Sequence, residues 1–130
     1  MKGSIKMKEM TTTQKTQCHE IIHLAAAAAG GIGLSPIPFS DTLPLVTVQT
    51  TMILALGKVF NVKIEESYAT SIAKTAIAKQ VGKLIAGQFA KLIPGFGNAM
   101  NAGVAFTMTE LLGWDTANDF FKMSQYNLAA

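Results

Sequence analysis

Two proline-bearing breaks in this chain of 130 residues are the features that most constrain its fold. The first is Ser35-Pro36-Ile37-Pro38 and the second is Pro94-Gly95-Phe96-Gly97. Proline lacks the backbone N–H that a helix interior needs, and it disfavours helical geometry in the residue before it. Long runs of helix-forming residues lie on both sides of each break. The two breaks therefore predict corners between helices.

Apolar spacing and capping residues predict four helices around these corners. We expect the polar lead, residues 1–15, to be flexible, and Ser40 or Asp41 to cap the second helix. Asn61 is a suitable stop for that helix, and Asn98 is the expected cap of the fourth, which Gly113 is expected to bend or split. The predicted helices cover residues 16–34, 41–60, 65–93 and 98–121.

No segment alternates apolar and polar residues for long enough to predict a strand. The sequence therefore predicts an all-α fold in which residues 16–126 form one domain of two αα-hairpins. A repeated pattern also suggests that the two hairpins are related by an internal duplication, giving a pseudo-duplicated compact bundle. Three pairs recur at one constant offset: Ile37-Pro38 with Ile93-Pro94, Thr51-Met52 with Thr107-Met108, and Leu56-Gly57 with Leu112-Gly113.

Composition narrows the class of protein. Apolar residues make up 49% of the chain, which suits a globular core rather than a disordered polypeptide. The chain has a net charge of +3 but contains no arginine. Arginine is the residue that most often forms hydrogen bonds to phosphates and base edges, so we expect no nucleic-acid partner. Cys18 is the only cysteine, and nothing requires an oxidising compartment. These features suit a cytoplasmic protein.

Small residues recur every four positions in three of the predicted helices. Such spacing lets another helix backbone approach closely, either in an ordinary bundle or between helices within lipid. Two apolar stretches, 21–39 and 43–62, approach the length of about 20 residues that a bilayer requires, but both contain polar or helix-breaking residues. The spacing leaves both interpretations open. The three sets are Ala25-Ala29-Gly33, Ala78-Gly82-Ala86-Ala90 and Ala99-Gly103-Thr107.

The segment His19-Glu20-Ile21-Ile22-His23 matches the H-E-x-x-H pattern of zinc peptidases. On a helix, His19 and His23 would share one face and could bind zinc, with Glu20 polarising a bound water. A catalytic zinc needs a third protein ligand, and the chain has no further histidine. Glu65, Glu66 or Glu110 would have to serve. We therefore expect no catalytic, metal or cofactor site, and keep a minimal zinc peptidase as an alternative.

Several of these segments together resemble a bacterial helical domain of unknown function, found C-terminal to GTPase domains and in YcjF-like membrane proteins. The resemblance covers roughly residues 19–122. It implies an all-helical, hydrophobic, membrane-linked module without catalytic residues, in a bacterial protein of the cytoplasm or the cytoplasmic side of the inner membrane. The segments that carry it are Ile21-Ile22-His23 before an alanine run, Pro36-Ile37-Pro38 with Asp41, Gln49 and Met52, Ile93-Pro94-Gly95-Phe96-Gly97-Asn98, and Thr109-Glu110-Leu111-Leu112-Gly113.

These observations predict a non-enzymatic helical module that associates with a membrane, with itself, or with both. No GTPase domain lies within these residues, so the resemblance leads us to expect a GTPase partner supplied by another chain. A second alternative, besides the zinc peptidase, is a small pore-forming or toxin-like helical protein. The cationic, glycine- and alanine-rich hairpins suggest this alternative.

Overall fold

A computed structural model describes residues 9–34, 43–86 and 96–129, with side chains for 9–32, 44–79 and 103–126. It contains four helices: α1 (Thr12–Leu34), α2 (Leu43–Val59), α3 (Glu66–Ala86) and α4 (Phe96–Ala129). These ranges contain no strand, and the predicted all-α class is confirmed. The first corner, the caps proposed at Ser40 and Asp41, and the end of the third helix lie outside the described residues.

Helix α1 begins four residues before its predicted start, because a capping box forms inside the polar lead. The backbone N–H of Thr11 donates to Oε1 of Gln14 at 3.0 Å, and the N–H of Gln14 donates to Oγ1 of Thr11 at 3.0 Å. Two orphan donors of the first turn are thereby satisfied reciprocally. Met10 packs against the core just before the cap. The predicted flexible lead therefore ends earlier than residue 15.

Helix α2 stops where the sequence predicts, in a Schellman motif around Asn61. The N–H of Val62 donates to the carbonyl of Gly57 at 2.8 Å, and the N–H of Asn61 donates to the carbonyl of Lys58 at 3.3 Å. Asn61 has a φ of 58°, the left-handed conformation that such a cap requires. Asparagine adopts this conformation more readily than most residues do. The prediction for Asn61 is confirmed.

Helix α4 runs without interruption for 34 residues, about 50 Å at the usual rise per residue. It begins at Phe96, so Asn98 lies inside its first turn and is not its cap, and the helix includes the last two residues of the second predicted corner. It also passes through Gly113 without the split expected there. The split was expected because glycine weakens an isolated helix, but here α4 packs on α1 at this position.

The core lies mainly between α1, α2 and α4, and the most extensive helix pairing joins α1 to α4. The two-hairpin prediction did not include this pairing of the first and last helices. Contacts between α3 and α4 are few among the described residues, whereas α3 packs well on α2. The hairpin pairing and the internal duplication stay predictions. The largest fully buried side chains are Ile22, Met52, Ile53, Leu56, Gln49, Thr109 and Cys18.

Three contacts establish the relative directions of the helices. Gln49 lies beside Thr109, and a β-carbon on Gly57 would lie 3.7 Å from Phe120, so α2 and α4 run in the same direction. Helix α3 follows α2 after a short turn and returns beside it, with the Oγ1 atoms of Thr50 and Thr70 3.5 Å apart. Helix α3 is therefore antiparallel to both α2 and α4.

The small-residue sets face different environments. Ala29 is fully buried and Ala25 is half-buried in the core, which matches tight packing within a bundle. Gly103 and Thr107 are exposed, and a β-carbon on Gly103 would meet nothing within 4 Å. Within the described ranges, none of the helices has both the length and the apolar content needed to cross a bilayer.

Candidate functional site

The two histidines of the H-E-x-x-H segment lie together on the surface of α1. Their ring centroids are 5.2 Å apart, and the ring planes differ by 17°. Residues four apart share one face of a helix, so α1 itself places His19 next to His23. Both residues are exposed, whereas the neighbouring Cys18 and Ile22 point into the core. The pair is therefore accessible from solvent.

Glu110 of α4 approaches this pair from the opposite helix. Its Oε2 atom lies 2.9 Å from Nδ1 of His23, a contact that joins residues 87 positions apart in the chain. The Glu110 side chain is 23% exposed and that of His23 is 57% exposed. An ionised carboxylate can only accept hydrogen bonds, so Nδ1 of His23 carries the proton. In the neutral ring, Nε2 is then left with a free lone pair.

Glu110 belongs to a row of three residues spaced by four on α4, and this row faces the histidines. The ring of Phe106 meets His23 edge-on, with centroids 5.7 Å apart and planes at 86°. The ring of Trp114 lies 6.4 Å from that of His19. We call His19, His23, Phe106, Glu110 and Trp114 the histidine cluster. The row on α4 was not predicted from the sequence, although its spacing of four residues is visible there.

The residues considered as zinc ligands lie in different parts of the fold. Of the three glutamates considered as a third ligand, Glu110 contacts His23, whereas Glu65 and Glu66 lie at the start of α3. Glu20 is exposed on α1, next to His19. In the described part of the chain, no group of three or more histidine, cysteine, aspartate or glutamate side chains is arranged to hold a metal ion.

Cys18 precedes the cluster in sequence but faces the opposite way. It is fully buried, and this burial raises the pKa of its thiol above the ordinary value of 9.0 because the interior disfavours the charged thiolate. Reactive cysteines have thiols whose pKa is lowered and which are accessible to solvent. Cys18 has neither property, so it serves as a small apolar core residue.

A cavity of about 930 Å³ opens beside His19, between the start of α1 and the last third of α4. Its apolar walls come from Met10, Trp114 and Phe121, and charged residues of both signs lie at its edge. The histidine cluster therefore borders a space that can admit solvent and small molecules. The charged residues at the edge are Glu9, Lys15, Glu20 and Lys122.

A second cavity, which we call the α3/α4 groove, has a volume of about 600 Å³ and lies where these two helices make few contacts. Two large apolar side chains in it are exposed, Tyr68 by 57% and Leu111 by 59%. Lys79 and Asp115 are its charged residues, and they lie at opposite ends because α3 and α4 are antiparallel. The remaining lining residues are Ser71, Ile72, Thr75, Ala76, Met108 and Leu112.

Comparisons with known proteins add no assignment: no protein-family model, no curated protein and no solved structure matches this chain.

Proposed function

We propose that this protein is a non-enzymatic helical module that self-associates through the α3/α4 groove. The observation that carries this proposal is an apolar groove with two large exposed side chains, Tyr68 and Leu111, and opposite charges at its two ends. Large exposed apolar side chains that lie together beside one groove, and not scattered singly, favour an interaction site there.

Burial of the exposed groove residues supplies the free energy for association. Fully burying a leucine contributes about 1.5–3 kcal/mol, and Leu111 still exposes 59% of its surface. In a symmetric dimer each copy contributes the same residues, so the gain from Leu111 and Tyr68 is counted twice. These contributions are large compared with the 1.4 kcal/mol that changes a dissociation constant tenfold.

The charges favour a second copy of this chain as the occupant of the groove. A two-fold axis that crosses the middle of the groove at right angles to its length brings the Lys79 end of one copy onto the Asp115 end of the other. Both contacts then pair opposite charges, as a self-complementary interface requires. A two-fold axis parallel to the groove would instead place like charges together.

The resemblance described above adds two partners to the proposal: a GTPase supplied by another chain and a membrane surface. All eleven basic residues are lysines, and lysine-bearing surfaces favour anionic lipid headgroups. Sedimentation of the protein with vesicles rich in phosphatidylserine tests the membrane part. Binding that weakens steeply between low and high salt is expected, and recovery of all protein in the supernatant at low salt would remove the membrane from the proposal.

Sedimentation equilibrium tests the self-association directly. We expect the wild-type chain to form dimers as its concentration rises, and Leu111→Lys to raise the dissociation constant at least tenfold. The matched control is Leu24→Lys, which changes a leucine of α1 that is 73% exposed and lies outside the groove. This variant should dimerise like the wild type. A wild-type chain that stays monomeric at millimolar concentration, or an equal effect of both variants, would contradict the proposal.

A further inference from the structure

The stacked histidines of α1 form a feature that self-association does not use. We propose that His19 and His23 together bind one divalent first-row transition-metal ion of the Ni²⁺, Cu²⁺ and Zn²⁺ class through their Nε2 atoms. Such a site needs no third protein ligand, because water completes the coordination shell. It differs in this way from the catalytic zinc site that the H-E-x-x-H pattern suggests.

The spacing of the two rings suits a common ion. A metal–nitrogen bond of about 2.1 Å places a ring centre about 3.2 Å from the ion, so two rings at a tetrahedral angle have centres about 5 Å apart. The observed separation is 5.2 Å. The ring planes are nearly parallel, so one ring must turn about its Cβ–Cγ bond, a torsion with a broad energy minimum. His19 is the ring that turns, because it is exposed and Glu110 holds His23.

Glu110 prepares His23 for this role. Its carboxylate accepts a hydrogen bond from Nδ1 of His23 at 2.9 Å, which leaves the lone pair of Nε2 available to a metal ion. Metal-binding histidines usually donate their second ring nitrogen to a carboxylate, backbone carbonyl or water in this way, which fixes the tautomer and raises the basicity of the ligand. Glu110 is therefore a positioning residue for the site and not a ligand.

The chemistry of two imidazoles selects the class of ion. Imidazole nitrogen suits nickel, copper and zinc, whereas magnesium and calcium prefer oxygen ligands. The site is exposed and has only two protein ligands, so the bound ion exchanges readily and keeps open positions. His19 also lines the cavity to which Trp114 contributes.

Trp114 supplies a built-in reporter for binding, because it is the only tryptophan and its ring lies 6.4 Å from that of His19. Paramagnetic Ni²⁺ quenches tryptophan emission at such short range. The test is a titration of Ni²⁺ into the whole chain of 130 residues, without a polyhistidine tag. Saturable quenching with one ion per chain is expected, diamagnetic Zn²⁺ should reverse it by competition, and Mg²⁺ should produce none.

Variants assign the ligands. His19→Ala and His23→Ala should each weaken Ni²⁺ binding more than tenfold, and Glu110→Gln should weaken it roughly 10- to 100-fold, as loss of a supporting carboxylate does. Glu20→Gln is the control, since this residue lies next to His19 but contributes no ligand. Far-UV circular dichroism without metal shows whether each variant keeps its helices. Quenching that does not saturate, or folded histidine variants that bind like the wild type, would overturn the proposal. An equal loss in Glu20→Gln would overturn the assignment to the two histidines.

Discussion

A β-carbon on Gly113 would lie 2.7 Å from Cγ1 and 2.9 Å from Cγ2 of Ile22. Ile22 is fully buried, and Gly113 is buried as well. The backbone of α4 therefore approaches α1 so closely at this point that only glycine fits without displacing the isoleucine. A glycine in the middle of a 34-residue helix serves helix packing here and does not interrupt the helix.

We predict that Gly113→Ala lowers the free energy of unfolding by about 1–2 kcal/mol. Overpacking a core by one methyl group costs about 1–3 kcal/mol, which outweighs the gain of up to about 1 kcal/mol in helix propensity. Urea denaturation followed by circular dichroism measures the change. Gly103→Ala is the matched control in the same helix, because its β-carbon meets nothing within 4 Å. It should stabilise the protein by about 0.5–1 kcal/mol.

The same contact predicts coupling between the two positions. In an Ile22→Ala background, the space left by the side chain accommodates the added methyl group, so Gly113→Ala should no longer destabilise the protein. A double-mutant cycle measures this as an interaction energy of about 1 kcal/mol or more. Additive effects of the two substitutions would mean that the helices do not meet at this point.

A buried hydrogen bond between Gln49 and Thr109 predicts that removing one partner destabilises the protein more than removing both. The Nε2 of Gln49 donates to Oγ1 of Thr109 at 3.1 Å, while its Oε1 has no hydrogen-bond partner among the described residues. Thr109→Val leaves the amide of Gln49 buried without its acceptor and should destabilise the protein by about 1–3 kcal/mol. The double variant Gln49→Met/Thr109→Val removes both polar groups and should unfold at nearly the wild-type urea concentration. An equally unstable double variant would contradict this explanation.

The C-cap of α2 predicts opposite effects of two substitutions at Asn61. Its φ of 58° costs an alanine about 1 kcal/mol but costs a glycine nothing sterically. We expect Asn61→Ala to lower the melting temperature and Asn61→Gly to keep or raise it, as measured by calorimetry. If the two variants melted together, the left-handed conformation at this residue would be excluded.

Burial of Cys18 predicts a pH dependence of stability. The pKa of its thiol is raised in the folded state by desolvation, so above the ordinary value of 9.0 the unfolded chain loses a proton that the folded chain keeps. The contribution of Cys18 to stability is thus complete below pH 9 and falls as pH rises toward the raised pKa. Lysines and tyrosines titrate in the same range, so the decisive quantity is the difference from Cys18→Ala. This variant should lose less stability than the wild type as the pH rises above 9.

Local sequence signals predicted the four helices and the stop at Asn61, because these depend on residues a few positions apart. The start of α1 was predicted too late, since Thr11 and Gln14 form their capping box inside a segment that looks polar and disordered. The motif was present in the sequence but lacked the apolar run that usually follows such a cap directly.

The spacing of His19 and His23 on α1 is local, but the rest of the candidate sites depends on contacts between residues far apart in the sequence. The contact of His23 with Glu110 spans 87 residues and requires the pairing of α1 with α4, which the two-hairpin prediction did not include. The use of Gly113 for close packing likewise depends on Ile22 of another helix. The α3/α4 groove arises because two consecutive helices pack mainly on other elements, and this outcome is set by the whole core.

A charge-reversal experiment tests the proposed dimer most directly. Lys79→Glu and Asp115→Lys each place like charges at both ends of a two-fold interface, so each variant alone should sediment as a monomer. Mixed in equal amounts, they restore opposite charges at both ends, and sedimentation equilibrium should then show a one-to-one dimer. A mixture that stays monomeric while the wild type dimerises, or variants that dimerise alone as well as the wild type does, would contradict the account.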